Sequence, residues 1–500
     1  MSHAPLLIFG FDAGDPEWLV RWAQEGYLPT LAKLLERGCW ARTTGPELIS
    51  EHGVWVPLLS GVSRYDLGYY YFRQLKHGSY DLQPVTGLDL KFTPLWARLN
   101  RQKRIAVIDV PEVVPTPGLS GIQLANWGIH LGWKSDHPAH RLYAEPPSLL
   151  EEIGTRDLIL ENSQSTLVQD RVLHRQLLAR VAKKGALVRN LLGREHYDLM
   201  VVVFTETHSG GHQFWKYRHD ANSDLHHAIR DVYQATDREL GQLLAQLPAE
   251  TNVIITSSVG LEDYYPTGGL TEAFCRQLGY QVAPAPGPVS WKPLDVARRV
   301  LPEFVRVSLS RRLLSRDQRE QLLAEQFRRA TDWTRTTAFA IPTSYAGLIR
   351  VNLRGREPQG IVAPGAEYEA LLDRLEVDLR QLTDPVTGAP AVRNISRPGR
   401  LFGQSPPAVF PDLWIEWSPS RRFVDRVHHP RTELTQTRPE WCRDSDHSRH
   451  GFVAAAGPAI TSRGALPDVS LLDLTPTFLT LLDEPVPAEL PGRPLAALLS

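Results

Sequence analysis

The sequence predicts an α/β fold, a three-layer sandwich with a mostly parallel central sheet, helices on both faces and a helical insertion. Three observations predict it. Short, largely apolar runs at Leu6–Phe11, Ile105–Asp109, Leu199–Phe204 and Val253–Thr256 read as strands buried on both faces. Segments of helical spacing lie between them, as in alternating α/β architectures. Residues able to do chemistry stand directly after the runs, where open α/β sheets bind ligands.

Composition narrows the class further. With 500 residues the chain is long enough for one large α/β domain with insertions, or for two domains. Its 55 basic and 56 acidic residues leave a formal net charge of −1, which supports neither a nucleic-acid partner nor an acidic membrane. Cys39, Cys275 and Cys442 form no disulfide framework and no CxxC pattern, so a reducing compartment is expected. The opening MSHAPLLIFGFDAGD lacks the basic start of a signal peptide and reads as the first strand. No run approaches the roughly 18 apolar residues that a membrane span needs. The expectation is a soluble, cytoplasmic protein acting on a small, anionic molecule, with homo-oligomerisation left open.

Taken in order, the first strand ends at Asp12, and Pro16–Gly38 follows with helical spacing. Asp12 reads either as a helix cap or as a metal-ligating carboxylate. Ser50 and Glu51 precede a helix expected over Val54–Ser60. A hydroxyl there is an N-cap, or a nucleophile at the positive end of a helix dipole. Gly121–Trp133 reads as a loop, with Trp127 and His130 either facing a site or packing and exposed. The amphipathic stretch Leu167–Leu192 leads into Leu199–Phe204, after which come Glu206, His208 and His212. The HxxxH spacing offers two imidazoles to one ion, though such pairs also occur by chance. Trp215, His219 and Asp220 follow on an expected helix, with Trp215 and His219 as candidates for substrate contact or support. Three segments result: 1–280 as the first part of an α/β core, 281–335 as a basic helical lid, and 336–500 as the rest of the core. Arg354 and Arg356 read as solvent-facing turn arginines. Late in the chain, His447 and His450 stand in a polar loop before another apolar strand.

FGFDAGDPEWLVRWAQEGYLPTLAKLLERG, VWVPLLSGVSRYDLGYYYF, HSGGH, SDHSRHGFVAAAGPAI and VSLLDLTPTFLTLLDEPVP follow one another along nearly the full chain. In that order they resemble the alkaline phosphatase superfamily, and within it the type I phosphodiesterase/nucleotide pyrophosphatase-like branch. The resemblance implies an alkaline phosphatase-like three-layer sandwich and two metals, usually zinc, around a Thr or Ser nucleophile. It implies hydrolysis or transfer on a phosphoester, phosphodiester or sulfuryl ester. Asp12 matches the first-strand ligand, His212 the histidine of D-x-x-x-H, and His447 the late histidine. His208 stands where the aspartate of that pair would be. Ser50 is the nearest hydroxyl to the nucleophile position, and Glu51 falls on the strict count.

One departure matters. Where the branch carries S-D-H-G, this chain has Ser258 and Val259 in place of the Asp and His, with Glu262 and Asp263 nearby. The resemblance therefore implies one well-formed site, His208, His212 and His447, suited to zinc and open to iron or manganese. The second site, left with Asp12 and Ser50 or Glu51, is expected to bind weakly. The alternative expectation is a repurposed scaffold, with a single three-histidine site doing other chemistry or binding a ligand without catalysis.

Overall fold

The computed structural model describes residues 4–49, 53–113, 115–128, 137–155, 159, 165–264, 267–285, 316–343, 346–403, 405, 407–418, 423–437, 443–461 and 463–499. The chain forms two compact units, one of residues 1–67, 86–263 and 443–500, the other of residues 68–85 and 264–442.

In the first unit the strands are β1 (Leu6–Phe11), β2 (Cys39–Thr44), β5 (Ile105–Ile108), β6 (Gly121–Ala125), β7 (Tyr143–Glu145), β8 (Leu199–Phe204), β9 (Asn252–Ser257), β10 (Gly260–Asp263), β17 (Ser445–Ser448), β18 (Gly451–Ala456), β19 (Gly464–Ala465) and β20 (Val469–Ser470). The second unit holds β3 (Arg73–Leu75), β4 (Leu82–Pro84), β11 (Ala338–Ile341), β12 (Gly347–Val351), β13 (Val392–Ser396), β14 (Leu413–Trp417), β15 (Arg426–His429) and β16 (Thr432–Thr435). The main sheet runs β19–β2–β18–β9–β1–β8–β5–β6–β7, with β20 beside β2. Its centre, β9–β1–β8–β5–β6, is parallel, and β18 and β7 run against it. Phe11 sits opposite Phe204 and Gly10 opposite Thr256, so β1, β8 and β9 release the chain side by side at one edge.

Helices α1 (Pro16–Gln24), α2 (Pro29–Arg37), α3 (Trp55–Ser60), α4 (Leu149–Ile153), α5 (Leu167–Leu192), α6 (Glu206–Phe214) and α7 (Ala228–Leu244) belong to the same unit. Successive strand residues point to opposite faces. The ring of Phe11 meets Tyr233 of α7, whereas a Cβ on Gly10 would meet Trp55 of α3. Helices therefore cover both faces of the sheet. The single helix expected over Pro16–Gly38 is two, because Gly26 takes φ +82° and Pro29 starts a new helix at its first turn. Asp15 caps α1 by accepting from the amides of Glu17 and Trp18.

The division of the chain differs from the expected one. Residues 336–442 do not return to the main sheet; β11, β12, β14 and β13 pair antiparallel into a sheet of their own. That sheet has a separate core, with Ile349, Leu375 and Leu413 fully buried. Only residues 443–500 rejoin the first unit. Apolar alternation marks a strand without naming its partners, which is why the two sheets read alike in sequence. Within the expected lid, Arg316–Arg329 is a helix of the second unit and residues 286–315 lie outside the described residues. Arg356 is not a free turn arginine: its guanidinium pairs with Asp412 at 2.7 Å.

Candidate functional site

Three histidines meet at the carboxyl edge of the main sheet. β8 ends at Phe204, and α6 begins two residues later, so its first turns lie over the sheet edge. HSGGH is thus helical, not a loop, and the four-residue spacing puts His208 and His212 on one face. His447 arrives from β17, which pairs antiparallel with β10, Leu261 opposite His447. A Cβ on Gly211 would lie 2.3 Å from Leu261 Cδ1. The glycine lets the β10–β17 ribbon lie against α6, and that contact brings His447 to the pair.

The ring nitrogens converge. His447 Nε2 lies 3.1 Å from His208 Nε2 and 3.1 Å from His212 Nε2. Ring centroids are 4.7, 4.9 and 4.9 Å apart, a nearly equilateral arrangement. His208 and His212 are buried and His447 is half-buried. Among the described residues, these three side chains form the group of His, Cys, Asp or Glu able to hold an ion.

The opposite nitrogens are also engaged. His208 Nδ1 lies 3.0 Å from Asp12 Oδ2, and His212 Nδ1 lies 2.8 Å from Ser445 Oγ. A carboxylate only accepts, so the neutral His208 ring carries its proton on Nδ1 and turns a lone pair on Nε2 inward. Ser445 can accept from His212 in the same way. Lone pairs aimed at one another repel unless a cation sits between them. Tetrahedral bonds of about 2.0–2.1 Å to zinc would place the donor nitrogens about 3.3 Å apart, close to the spacing found. The residues present therefore fit a divalent metal.

Asp12, expected as a ligand from the first strand, stands behind His208 instead. Its Oδ1 accepts from Trp55 Nε1 at 2.7 Å and its Oδ2 faces His208. Ser50, Glu51 and His130 lie outside the described residues. The turn leading to position 50 is well held: Glu47, buried, accepts from Ser63 Oγ and the Arg64 amide. Arg64 in turn donates to the carbonyls of Glu47 and Ile49 at 2.8 and 3.1 Å. Burial raises the Glu47 carboxyl above its ordinary range, against the pull of those donors.

The remaining candidates are not gathered with the three histidines. Trp215 packs on Trp18 with centroids 5.2 Å apart and gives its N–H to Asp263. His219 is exposed beyond a short 3₁₀ turn, Trp215–Tyr217, because α6 stops at Phe214. Asp263, close in sequence to the missing acid, also pairs with Arg218. Val259 is part of the apolar core and Ser258 is buried, so neither restores the Asp-His pair. Of the expected Gly121–Trp133 loop, Gly121–Ala125 forms β6 and Trp127 is buried, while residues 129–133 lie outside the described residues.

Glu206 points elsewhere. It joins Arg180, Lys184 and Asp109 in a fully buried charged quartet. Lys184 Nζ lies 2.6 Å from Asp109 and 3.3 Å from Glu206, and Arg180 Nε lies 2.9 Å from Glu206. Sequence reading missed the quartet, along with Trp55 and Ser445. The signal for the quartet was a lysine and an arginine on the core-facing stripe of α5, four residues apart.

These features define an α/β protein with a candidate metal centre at the carboxyl edge of a parallel sheet. The family model for type I phosphodiesterase / nucleotide pyrophosphatase matches residues 6–452, and the chain belongs to that family. Its members are hydrolases of phosphoester and pyrophosphate bonds. No curated protein sequence matches the chain. Among solved structures, phosphonoacetate hydrolase from Sinorhizobium meliloti 1021, in complex with phosphonoformate, is similar with TM-score 0.51 and 12% identity, over 96% of this chain and 95% of that one. Murine ectonucleotide pyrophosphatase / phosphodiesterase 5 aligns with TM-score 0.48 and 13% identity, over 99% of this chain and 100% of its own. The fold is the alkaline phosphatase-like one that the sequence led us to expect.

Among the described residues no helix is long and apolar enough to cross a membrane.

Proposed function

We propose that the protein is a metal-dependent hydrolase of phosphoester, phosphodiester or sulfuryl ester bonds in a small anionic molecule, working with one metal ion per chain. The observation that supports it most is the convergence of three Nε2 atoms, two of them backed by a polar group at Nδ1. Zinc suits three imidazoles best, and iron or manganese suit them as well. A bound divalent ion would polarise the ester oxygen and lower the pKa of a coordinated water.

The chain's own residues supply the rest. His208, His212 and His447 offer neutral donors without adding charge, which leaves room for an anionic substrate. Ser50 is the nucleophile in this reading, with Glu51 as the alternative at that position. Arg64 and Glu47 hold the backbone up to Ile49 and so restrict where the next residue can go. Asp12 fixes the His208 ring. Ser258 and Val259 in place of an acid and a histidine favour one ion over two. That same observation keeps a second reading open, a repurposed single-metal scaffold doing other chemistry or binding a ligand only. A cytoplasmic site of action belongs to the proposal.

The test is metal content and hydrolysis together. One ion per chain is expected, with cleavage of bis-p-nitrophenyl phosphate, p-nitrophenyl phosphate or p-nitrophenyl sulfate that chelation abolishes and zinc restores. His447→Ala and Ser50→Ala should each remove it. Hydrolysis that survives chelation and His447→Ala overturns the proposal. One ion with no hydrolysis of any ester selects the second reading.

A further inference from the structure

The residue two before Asp12 is Gly10, on the β1 face that looks toward α3. A Cβ there would lie 2.6 Å from Trp55 Cη2 and 3.3 Å from Trp55 Cζ2. The rim of the indole therefore lies against β1 where only glycine leaves room, with Val203 Cγ2 2.9 Å from the same Cβ position. Seated there, and 3% exposed, Trp55 points its N–H along the strand to Asp12 Oδ1 at 2.7 Å. An indole N–H is a donor only, so it fixes that oxygen as an acceptor and the plane of the carboxylate with it. The other oxygen then faces His208 Nδ1 at 3.0 Å.

We infer that Trp55, seated on Gly10, is a positioning residue for the three-histidine centre, acting through Asp12 to hold His208 with its Nε2 lone pair toward the metal position. The inference rests on the reading of the three histidines as a metal centre. Asp12 itself is then a supporting carboxylate rather than a ligand. Outer partners of this kind orient a ligating imidazole and raise its basicity. Gly10, Trp55, Asp12 and His208 come from three separate stretches of chain, and none of the first three needs to touch the ion. Gly10 carries no polar side chain at all, so its effect on the centre can only be steric.

The experiment measures zinc affinity of the purified, metal-free full chain by competition with a chromogenic chelator. Trp55→Phe removes the N–H together with the pyrrole ring that carries it, and Asp12→Asn removes the obligate acceptor. Each should weaken zinc binding by about 10–100-fold. Gly10→Ala, which crowds the indole and Val203 Cγ2 alike, should weaken it as well. Because Trp55 works through Asp12, the double variant should bind no more weakly than Asp12→Asn alone. Trp55 is buried, so Trp55→Phe also truncates the core and lowers the melting temperature; the non-additivity of the double variant and the ring tautomer of His208, rather than stability, separate positioning from a general structural role. A measurement without any variant is the ¹⁵N chemical shift of His208 in the metal-free protein, where the Nδ1–H tautomer is expected.

Wild-type zinc affinity in Trp55→Phe, additive losses in the double variant, or an Nε2–H tautomer at His208 each overturn the inference. Failure of the wild-type chain to bind any divalent ion overturns the proposed function, and this inference with it. Normal wild-type binding with an unaffected Trp55→Phe overturns this inference alone.

Discussion

Two polar clusters, one fully and one largely buried, stand along the same edge of the main sheet, and they are built on opposite terms. The quartet of Asp109, Lys184, Arg180 and Glu206 lies where β5, β6 and β8 end, with side chains no more than 2% exposed. It contains two cations and two anions, so its charges cancel. Asp109 also accepts from the amides of Trp127 and Gly128 at 2.8 and 2.8 Å, and Lys184 donates to the Val203 carbonyl at 3.1 Å. The histidine trio, where β1 and β8 end, has no such closure. With Nδ1 facing Asp12 and Ser445, His208 and His212 turn electron-pair donors inward in their Nδ1–H tautomers. A cluster that compensates itself holds strands and helices together. A cluster with surplus donors asks for a cation from outside. Burial alone does not separate the two; the count of donors, acceptors and charges does.

The largest effect should come from breaking the closed cluster. Lys184→Met leaves Asp109 and Glu206 with too little positive charge and should cost about 3–5 kcal/mol of stability, read by urea unfolding. A loss no greater than that of a surface substitution would refute the contrast at once. The open cluster should respond to its ion instead. Chelation should lower the stability of wild type by about 2.7 kcal/mol where free metal had stood at 100 times Kd. The same treatment should leave His447→Ala unchanged, because that variant has already lost its grip on the ion. Differential scanning with and without chelator checks both.

Gly211→Ala tests how the open cluster is assembled. The new methyl would press on Leu261 and push the ribbon that carries His447 away from α6. An overpacking cost of about 1–3 kcal/mol is expected, with weaker zinc binding in titration calorimetry. Full zinc affinity in this variant would mean that the ribbon reaches the site by some other contact. The smallest effect concerns Asp15, one turn beyond Asp12. Burial holds its carboxyl above the ordinary range in spite of the Trp18, Leu261 and Glu17 amides. A folded pKa above the unfolded one means that the folded state keeps its proton longer. Stability from this group is then greatest below the unfolded value and falls as pH rises through the folded one. Asp15→Asn should flatten that decline as pH rises above the ordinary carboxylate range, seen as the difference between the two proteins' melting curves.

Much of this was legible in the sequence, for identifiable reasons. The apolar runs at Leu6–Phe11 and Leu199–Phe204 read as doubly buried strands, and they are. His208 and His212 were visible as a pair because helical spacing is local. The residues beside them were harder. Trp55 opens an apolar helix and reads as core, and Ser445 is one serine among many. Arg180 and Lys184 stand in a basic, amphipathic stretch where solvated charges are the usual outcome.

By itself, the sequence determined the apolar strands of the main sheet and the long helices before β8 and β9, since periodicity and apolar content act over a few residues. It also carried the family, because the order of the motifs survives along the chain. Tertiary structure alone decided that β11–β14 form a separate sheet and that Asp12 faces His208 rather than joining the three histidines. It also decided that His447 crosses 235 positions to meet His212. Those outcomes depend on pairing and close approach between distant segments, and a glycine such as Gly10 or Gly211 shows its purpose only when the opposing side chain is in place.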